Sequence, residues 1–442
     1  MFNVSEFIHR WFESEKYPIV TVHRLDNGSI ILNQMYYSEI EDLNQRLTWN
    51  IPISVTNSTT KNFTAEFNYW LYDDNYTVIK NAFSTNDNDS WVLVNAMGKG
   101  YYRCNYDLDN WKAIIKQLKT DHTVFPYETR AILIDDALNL ARMNLLNYSI
   151  AIDLIYYLMD KDETSLHPWL SALNNLNYLY KTMEELPNFA VIENFMRDIV
   201  NAVYDKINER KIARDLTEDD EEKRLEYLID DNSCMLGFPP CLEDMKNKFD
   251  KLLINEDEVD NNLMIKQNQS QNELFLIICT TIKYSGFFEW NIVYKSFNNT
   301  NDLNYRKILL RSLGCSREIS LINSFINFLV QKEFFNFSTD ILLSLSENKI
   351  GMKYVMDYFS INWKTIIKLF DIKQLSIIFR NISNENEYKV VSVLDYFNNA
   401  NNSFSISFLY FSYNRCLKNT QKPSTTETKT FYVVFAIPWL VS

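Results

Sequence analysis

Glycine is scarce in this sequence, with 7 residues in a chain of 442. A large all-β fold needs many tight turns, and such turns use glycine for positive φ angles. The composition therefore favours long helices. Long apolar runs are absent too, since no stretch reaches the roughly 18 apolar residues of a membrane-spanning helix. Residues 1–16 lack a basic segment followed by an apolar one, so they predict no signal peptide.

Histidine is equally rare, and the common active-site motifs are missing with it. The four histidines lie far apart, at His9, His23, His122 and His167, so no helical pair of the HExxH type is available to bind zinc. Neither a glycine-rich phosphate loop nor a GxSxG motif occurs. We therefore expect no catalytic, cofactor-binding or metal-binding residue in this chain.

Basic residues are outnumbered by acidic ones, 44 to 57, which gives a formal net charge of −13. Binding to nucleic acid requires clustered Lys and Arg side chains that neutralise phosphates. The charge balance therefore disfavours a nucleic-acid partner and a basic membrane-binding surface, and it indicates an acidic, soluble surface.

Hydrophobic residues make up 46% of the chain, enough for large cores, and they follow two patterns. Between residues 17 and 106, short runs rich in Val, Ile, Tyr and Trp alternate with polar clusters, a pattern typical of strands and hairpins. Asp26, Asn27 and Gly28 form the clearest turn sequence. We expect a small antiparallel β-sandwich here, preceded by a short amphipathic helix within residues 1–16.

Residues 107–400 show a helical pattern with short connections. Residues 111–118 predict a short helix capped by Asp109 or Asn110, and residues 128–143 carry two apolar stripes, which indicates a helix packed on two sides. A row of modest helices predicts a large all-α solenoid of helical hairpins, without a strict sequence repeat. The further predicted helices are 149–160, 167–183, 189–209, 218–232, 240–253, 271–283, 289–297, 302–313, 318–330, 338–347, 350–358 and 360–370.

Residues 401–442 follow a third pattern, a Thr-rich polar segment and then an apolar run. A glycosylphosphatidylinositol signal needs small residues at the attachment site, a spacer and an apolar tail. Ser424, Thr425 and Thr426 could supply the attachment site, but the spacer after them is short. The alternative is a divergent tail that is foreign to the native protein.

Four of the six cysteines have spacings that suit links between helices. Cys234 and Cys241 flank a tight MLGFPP connection, and Cys279 and Cys315 lie in helical segments with another helix between them. Pairing within each of these two sets would join neighbouring helices, but six free thiols are equally consistent with the spacing. The other two cysteines would remain unpaired.

Asn-x-Ser/Thr sequons occur along the whole chain and are concentrated in the loops of the predicted sandwich. They favour a glycosylated protein of the secretory pathway, although only slightly, because asparagine is frequent throughout the sequence. The candidate glycosylation sites are Asn57, Asn62, Asn75, Asn88, Asn147, Asn268, Asn298 and Asn336.

Asp135 and Asp136 are adjacent carboxylates on a predicted helix. Residues i and i+1 of a helix point in different directions, so the pair does not suit an acid and a base that act together. We interpret both side chains as structural partners of an arginine or of backbone groups.

Several segments, taken in order, carry a resemblance to a known family. They are YPIVTV, WVLVNAMGKGYYRCNYDLDNW, RAILIDDALNLAR, PWLSALNNLNYL, LGCSREISLINSFI and GMKYVMDYFSINW. On these motifs, residues 5–395 resemble the C-terminal half of the M1 family of zinc aminopeptidases, the group that contains aminopeptidase N and the endoplasmic-reticulum aminopeptidases. The residues that match the family's motifs are Gly100, Tyr102, Arg103, Tyr106, Asp107, Trp111, Arg130, Asp135 and Asp136.

The resemblance implies a β-sandwich followed by an α-solenoid bowl. It also implies two disulfides, Cys234–Cys241 and Cys279–Cys315, formed on the extracellular or lumenal side. Zinc is expected in a catalytic domain that this chain lacks, because the family's HExxH and GAMEN motifs have no match here. Residues 1–16 would be the last helix of that missing domain.

This resemblance predicts the non-catalytic C-terminal region of a secreted, cell-surface or ER-lumenal aminopeptidase, inactive on its own. In the whole enzyme it would close over the active site, receive the tail of the peptide substrate and contribute a homodimer contact. Its partners would be peptides and its own catalytic domain, with a membrane reached only through a missing N-terminal anchor or the C-terminal signal. The alternatives are a free-standing interaction module and a fragmentary gene model.

Overall fold

The computed structural model describes most of the chain. The described residues are 10–12, 16–36, 48–64, 66–72, 76–85, 89–160, 163–183, 187, 189–213, 220–255, 263–265, 270–370 and 374. The predicted helix within residues 1–16 lies mostly outside them, as do the tail at 401–442 and the sequons at Asn75, Asn88 and Asn268.

The first part of the chain forms strands, as the β-rich pattern predicts. They are β1 (Pro18–Arg24), β2 (Ile30–Tyr36), β3 (Ile51–Ile53), β4 (Val55–Asn57), β5 (Tyr69–Leu71), β6 (Thr77–Ile79), β7 (Val92–Val94) and β8 (Arg103–Tyr106). Four strands make one sheet in the order β6-β2-β1-β8, and the pairs β3–β5 and β4–β7 form two-stranded ribbons. The predicted turn around Asp26 connects β1 to β2, where Gly28 has a φ of +78°.

Strand β8 departs from the predicted antiparallel pattern. It pairs in parallel with β1, with Ile19 opposite Arg103 and Val22 opposite Tyr106, whereas β1–β2 and β2–β6 are antiparallel. Parallel neighbours need a long crossover connection, and here the chain from β2 to β7 supplies it. The last strand is thereby inserted beside the first, at the point where the helices begin.

The rest of the described chain is predominantly helical, which confirms the predicted order of a small β region and a large α region. The helices are α1 (Leu108–Thr120), α2 (Tyr127–Arg142), α3 (Tyr148–Ile155), α4 (Tyr157–Asp160), α5 (Leu166–Met183), α6 (Phe189–Ala213), α7 (Asp220–Met235), α8 (Pro239–Leu252), α9 (Gln271–Tyr284), α10 (Phe287–Asn299), α11 (Leu303–Leu313), α12 (Ile319–Asn327), α13 (Ser338–Glu347) and α14 (Lys349–Leu369). Helices close in sequence pack on each other, as α2 does on α3 and α5, and α11 on α9, α10 and α13.

Three details differ from the sequence prediction. Helix α1 is capped by Asp107 rather than by Asp109 or Asn110, because the Asp107 carboxylate accepts a hydrogen bond from the Asn110 backbone N–H at 2.8 Å. The two helices predicted at 350–358 and 360–370 are one continuous helix, α14. The helix predicted at 149–160 is divided between α3 and α4.

A short antiparallel hairpin, β9 (Leu253–Asn255) with β10 (Leu263–Ile265), was not predicted from the sequence. Three-residue strands carry too little local pattern to be recognised. Tertiary contacts hold the second strand: the Ile265 N–H donates to Ser296 Oγ at 3.1 Å, and the Tyr305 hydroxyl donates to the Ile265 carbonyl at 2.7 Å. The hairpin therefore depends on helices that follow it in sequence.

The described residues form two compact units, one up to residue 229 and one from residue 230. The predicted boundaries at residues 16, 106 and 400 stay predictions. None of the helices that the structure describes combines the length and the apolar character needed to cross a lipid bilayer.

Candidate functional site

The motif residues from Gly100 to Asp136 meet where strand β8 lies against helix α2. Gly100 belongs to the turn that leads into β8, and Asn95 holds this turn at two points. Its Nδ2 donates to the Gly100 carbonyl at 2.9 Å, and its Oδ1 accepts from the Gly100 N–H at 2.9 Å. The aromatic ring of Tyr102 fills the space that a Cβ at residue 100 would occupy, and the Tyr102 hydroxyl donates to the Pro52 carbonyl at 3.0 Å.

Replacing Gly100 with alanine is expected to destabilise the protein by about 1–3 kcal/mol, the usual cost of overpacking. A Cβ there would lie 2.1 Å from Cε1 of Tyr102, and that buried ring cannot move without losing the hydrogen bond to Pro52. Thermal unfolding of Gly100→Ala measures the effect. The neighbouring exposed position provides the control, since Lys99→Ala should leave the unfolding temperature unchanged; equal values for the two variants would contradict the prediction.

Arg103 joins the sheet to helix α2 through both motif carboxylates. Its guanidinium lies 2.5 Å from Asp135 Oδ2 and 2.9 Å from Asp136 Oδ1. The second oxygen of Asp136 accepts the Cys104 backbone N–H at 2.9 Å. On the exposed side, Arg103 Nε donates to the Tyr17 hydroxyl at 3.0 Å. Both carboxylates therefore bind the same guanidinium nitrogen of Arg103, and Asp136 binds a backbone N–H as well.

Charge and burial oppose each other at this junction. Burial raises the pKa of the Asp136 carboxyl to about 7, even though Arg103 and the Cys104 N–H favour the ionised form. Burial acts to lower the pKa of Arg103, but Asp136 and Asp135 outweigh it and raise that pKa above its ordinary value. Burial also raises the pKa values of the Cys104 thiol and the Tyr106 hydroxyl, so both are protonated at neutral pH and are not activated nucleophiles.

The raised pKa of Asp136 predicts a specific pH dependence of stability. From about pH 4 to about pH 7 the folded protein binds a proton that the unfolded chain has released, so this group's contribution to stability falls as the pH rises. Relative to Asp136→Asn, the wild type should lose a few kcal/mol over that range, at about 1.4 kcal/mol per pKa unit. Unfolding free energies of both proteins across the range test this prediction. A pH-independent difference in unfolding free energy between wild type and Asp136→Asn would contradict the prediction.

Asp107 and Trp111 connect the first turn of α1 to the sheet. Asp107 caps the helix and forms an ion pair with Arg24 of β1 at 3.1 Å. Trp111 is fully buried, its Nε1 donates to Asn105 Oδ1 at 3.1 Å, and its ring meets the Tyr106 ring edge-on at 5.0 Å. These motif residues therefore join the first turn of α1 to strands β1 and β8.

Arg130 lies in the first turn of α2 and forms a buried ion pair with Glu163. Arg130 Nε donates to Glu163 Oε2 at 2.6 Å, and the second guanidinium nitrogen donates to Oε1 at 2.8 Å. The Tyr157 hydroxyl and the Ser165 N–H complete the carboxylate's partners. The sequence analysis identified Arg130 but missed Glu163, because no local pattern marks a partner 33 residues away.

Two disulfides are present in the second compact unit. One joins Cys234 to Cys241 between α7 and α8, and the other joins Cys279 of α9 to Cys315 just after α11. These are the pairs that the resemblance implies. Cys104 is a buried free thiol.

The described residues do not provide a zinc site. No group of three or more His, Cys, Asp or Glu side chains among them is arranged to hold a metal ion. His167 instead pairs with Glu221 at 3.1 Å and stacks on Tyr127, while His122 lies against Tyr157. The family resemblance places the zinc in a catalytic domain outside this chain, and we assign no catalytic step to these side chains.

Comparison with known proteins agrees with the family resemblance found in the sequence. A family model for the ERAP1-like C-terminal domain matches residues 91–403. Aminopeptidase N of Canis lupus familiaris is 29% identical over 388 residues, covering 84% of this chain and 37% of that protein. Human aminopeptidase N is 27% identical over 377 residues, covering 83% and 37%. The human thyrotropin-releasing hormone-degrading ectoenzyme is 26% identical over 384 residues, covering 82% and 34%.

The chain thus spans little more than a third of the length of these curated relatives. The family model extends from just before β7 and runs through all the described helices. The chain therefore belongs to the ERAP1-like C-terminal domain family and corresponds to the C-terminal region of an M1 aminopeptidase.

Proposed function

We propose that this chain is the non-catalytic C-terminal part of a metallo-aminopeptidase that removes N-terminal residues from peptides. The match of the ERAP1-like C-terminal domain over residues 91–403 carries the proposal. Relatives with the name aminopeptidase N align with 83–84% of the chain, which supports peptides as the substrate class of the whole enzyme. The helical region would close over the active site and accommodate the tail of the bound peptide.

The motif residues support a structural role of this part rather than a catalytic one. Arg103, Asp107 and Arg130 are each engaged in ion pairs that join strands and helices. The sequence carries no HExxH motif. Activation of water for attack on the first peptide bond would be the contribution of zinc, held by residues outside this chain.

An extracellular or lumenal location is part of the proposal. Two disulfides are typical of oxidising compartments, and one family of relatives is named an ectoenzyme.

We further propose that the whole enzyme forms a homodimer through its helical region. Sedimentation of the purified chain over a range of concentrations tests this, and a purely monomeric chain would count against that contact.

The main experiment separates peptide binding from hydrolysis. The purified chain, supplied with zinc, should release no product from an aminoacyl-p-nitroanilide, yet it should bind a fluorescently labelled long peptide. An N-acetylated peptide of the same sequence is the control and should bind equally, because the pocket for the free amine belongs to the catalytic part. Hydrolysis that a chelator abolishes would overturn the proposal, as would binding that requires a free amino terminus.

Co-purification distinguishes this proposal from a free-standing interaction module. The catalytic region of an M1 aminopeptidase, expressed separately, should associate with the chain and gain activity on long peptides. A chain that binds peptides but neither associates with that region nor changes its activity would favour the independent module instead.

A further inference from the structure

Two sequons lie five positions apart in the β region and differ in their surroundings. Asn57-Ser58-Thr59 begins at the last residue of β4, and Asn62-Phe63-Thr64 lies in the loop that follows. An N-linked glycan is attached to the side-chain nitrogen of Asn when Ser or Thr stands two residues later. By sequence the two sites are equivalent acceptors, and only their environment can distinguish them.

The Asn57 side chain makes four hydrogen bonds inside the protein. Its Oδ1 accepts from the backbone N–H groups of Thr59 at 2.9 Å and Thr60 at 2.8 Å, and from the Thr60 hydroxyl at 3.1 Å. Its Nδ2 donates to the Ala82 carbonyl at 2.8 Å. Asn57 thus connects the turn after β4 to the segment after β6 from a half-buried position.

Asn62 has the opposite environment. The middle residue of its sequon, Phe63, packs towards the interior against Trp91 and Phe125, with ring centroids 6.3 and 6.2 Å away. Asn62 and Thr64 on either side are exposed. Asn62 Oδ1 accepts the Thr64 N–H at 3.1 Å, and within the described part of the chain its Nδ2 makes no hydrogen bond. A saccharide on this nitrogen would extend into solvent while Phe63 keeps the loop anchored.

We propose that Asn62 carries an N-linked glycan and that Asn57 remains unmodified in the folded protein. The donor is an oligosaccharide on a lipid diphosphate. A bond forms between sugar C1 and Asn62 Nδ2, the bond from C1 to the diphosphate oxygen breaks, and Nδ2 loses one proton. The inference rests on the extracellular or lumenal route proposed above.

Folding selects against chains that carry a glycan on Asn57. Glycan transfer precedes folding, so both sequons meet the transferase as extended chain. A saccharide on Asn57 Nδ2 would then have to be accommodated in a half-buried position, on a nitrogen that lies only 2.8 Å from the Ala82 carbonyl oxygen. Chains modified there fold poorly, and the folded, secreted protein is depleted of them.

The test is a site-by-site measurement of glycan occupancy. The full chain, secreted from animal cells behind a cleavable heterologous signal, is treated with peptide-N-glycosidase in heavy-oxygen water, and the converted asparagines are identified by peptide mass spectrometry. We expect conversion at Asn62 and essentially none at Asn57. A glycan on Asn57 in most molecules of the folded protein would overturn the proposal, and so would the absence of a glycan on Asn62. The exposed asparagines of two other sequons, Asn147 and Asn336, report separately on whether the chain met the transferase.

Three variants separate the sequon from the side chain's structural role. Asn62→Gln should lose one glycan with little change in unfolding temperature. Asn57→Gln should lose no glycan but unfold about 2–4 °C lower, because internal hydrogen bonds are lost. Thr59→Ala removes the Asn57 sequon and keeps the backbone N–H that Asn57 accepts, so it should change neither the mass of the glycans nor the stability. Loss of a glycan in Thr59→Ala would contradict the proposal directly.

Discussion

Replacing Arg130 with methionine is expected to destabilise the folded chain by about 3–5 kcal/mol, the usual cost of breaking a buried ion pair. The Glu163 side chain is 1% exposed and that of Arg130 8% exposed. Removing the guanidinium leaves a carboxylate that has no counter-charge and little access to water. It also removes the donor to the Phe125 carbonyl at 2.5 Å, which ties the start of α2 to the preceding turn. Thermal or denaturant unfolding of Arg130→Met measures the loss.

The double variant Arg130→Met with Glu163→Leu is the matched control. Two apolar side chains of similar size remove both charges together, and such replacements of a buried pair are often neutral or stabilising relative to the intact pair. We therefore expect the double variant to be more stable than Arg130→Met alone. If the double variant is as unstable as the sum of the two single variants, the ion pair is not the reason for the effect.

Removing the Cys279–Cys315 disulfide by two serine substitutions is expected to cost about 3.8 kcal/mol in the loop-closure description, because the link closes a sequence separation of 36. The second disulfide provides an internal comparison. Cys234–Cys241 closes a separation of 7, so its removal should cost about 2.4 kcal/mol in the same description. Unfolding midpoints of the two double-serine variants, measured in the same buffer, test the order.

A larger loss from the short loop than from the long one would contradict this expectation. It would indicate that packing around the bonded sulfurs, rather than the entropy of the unfolded chain, dominates their contribution. Mass spectrometry of the variants should show that the remaining disulfide is still formed, so that each variant lacks one link.

The two units of the chain differ in what stabilises them. In the first unit, the junction between sheet and helices depends on charged side chains with several partners each, such as Arg103 and Arg130. In the second unit, two disulfides link helices that are close in sequence. A reducing buffer should therefore affect the second unit more than the first.

Local sequence determined much of the fold. Short β-rich runs indicated a small strand region, and scarce glycine with helical periodicity indicated a long helical region after it. Strand and helix periodicities differ enough to be recognised within a short stretch of sequence. Most helix positions were predictable for the same reason, and so was the turn at Gly28, whose positive φ suits glycine. The family-like motif order, read together with the cysteine pairs, identified the chain as part of an aminopeptidase.

Tertiary structure alone decided the partners. The parallel pairing of β8 with β1, the ion pair of Asp107 with Arg24, and the pairing of Arg130 with Glu163 join residues that lie far apart in the sequence. The same is true of the two sequons, since both read Asn-x-Thr and only the fold brings the amide of Asn57 within hydrogen-bond distance of the Ala82 carbonyl. Periodicity is a local property of the chain, whereas partner choice depends on which distant groups the folded core brings within hydrogen-bond distance.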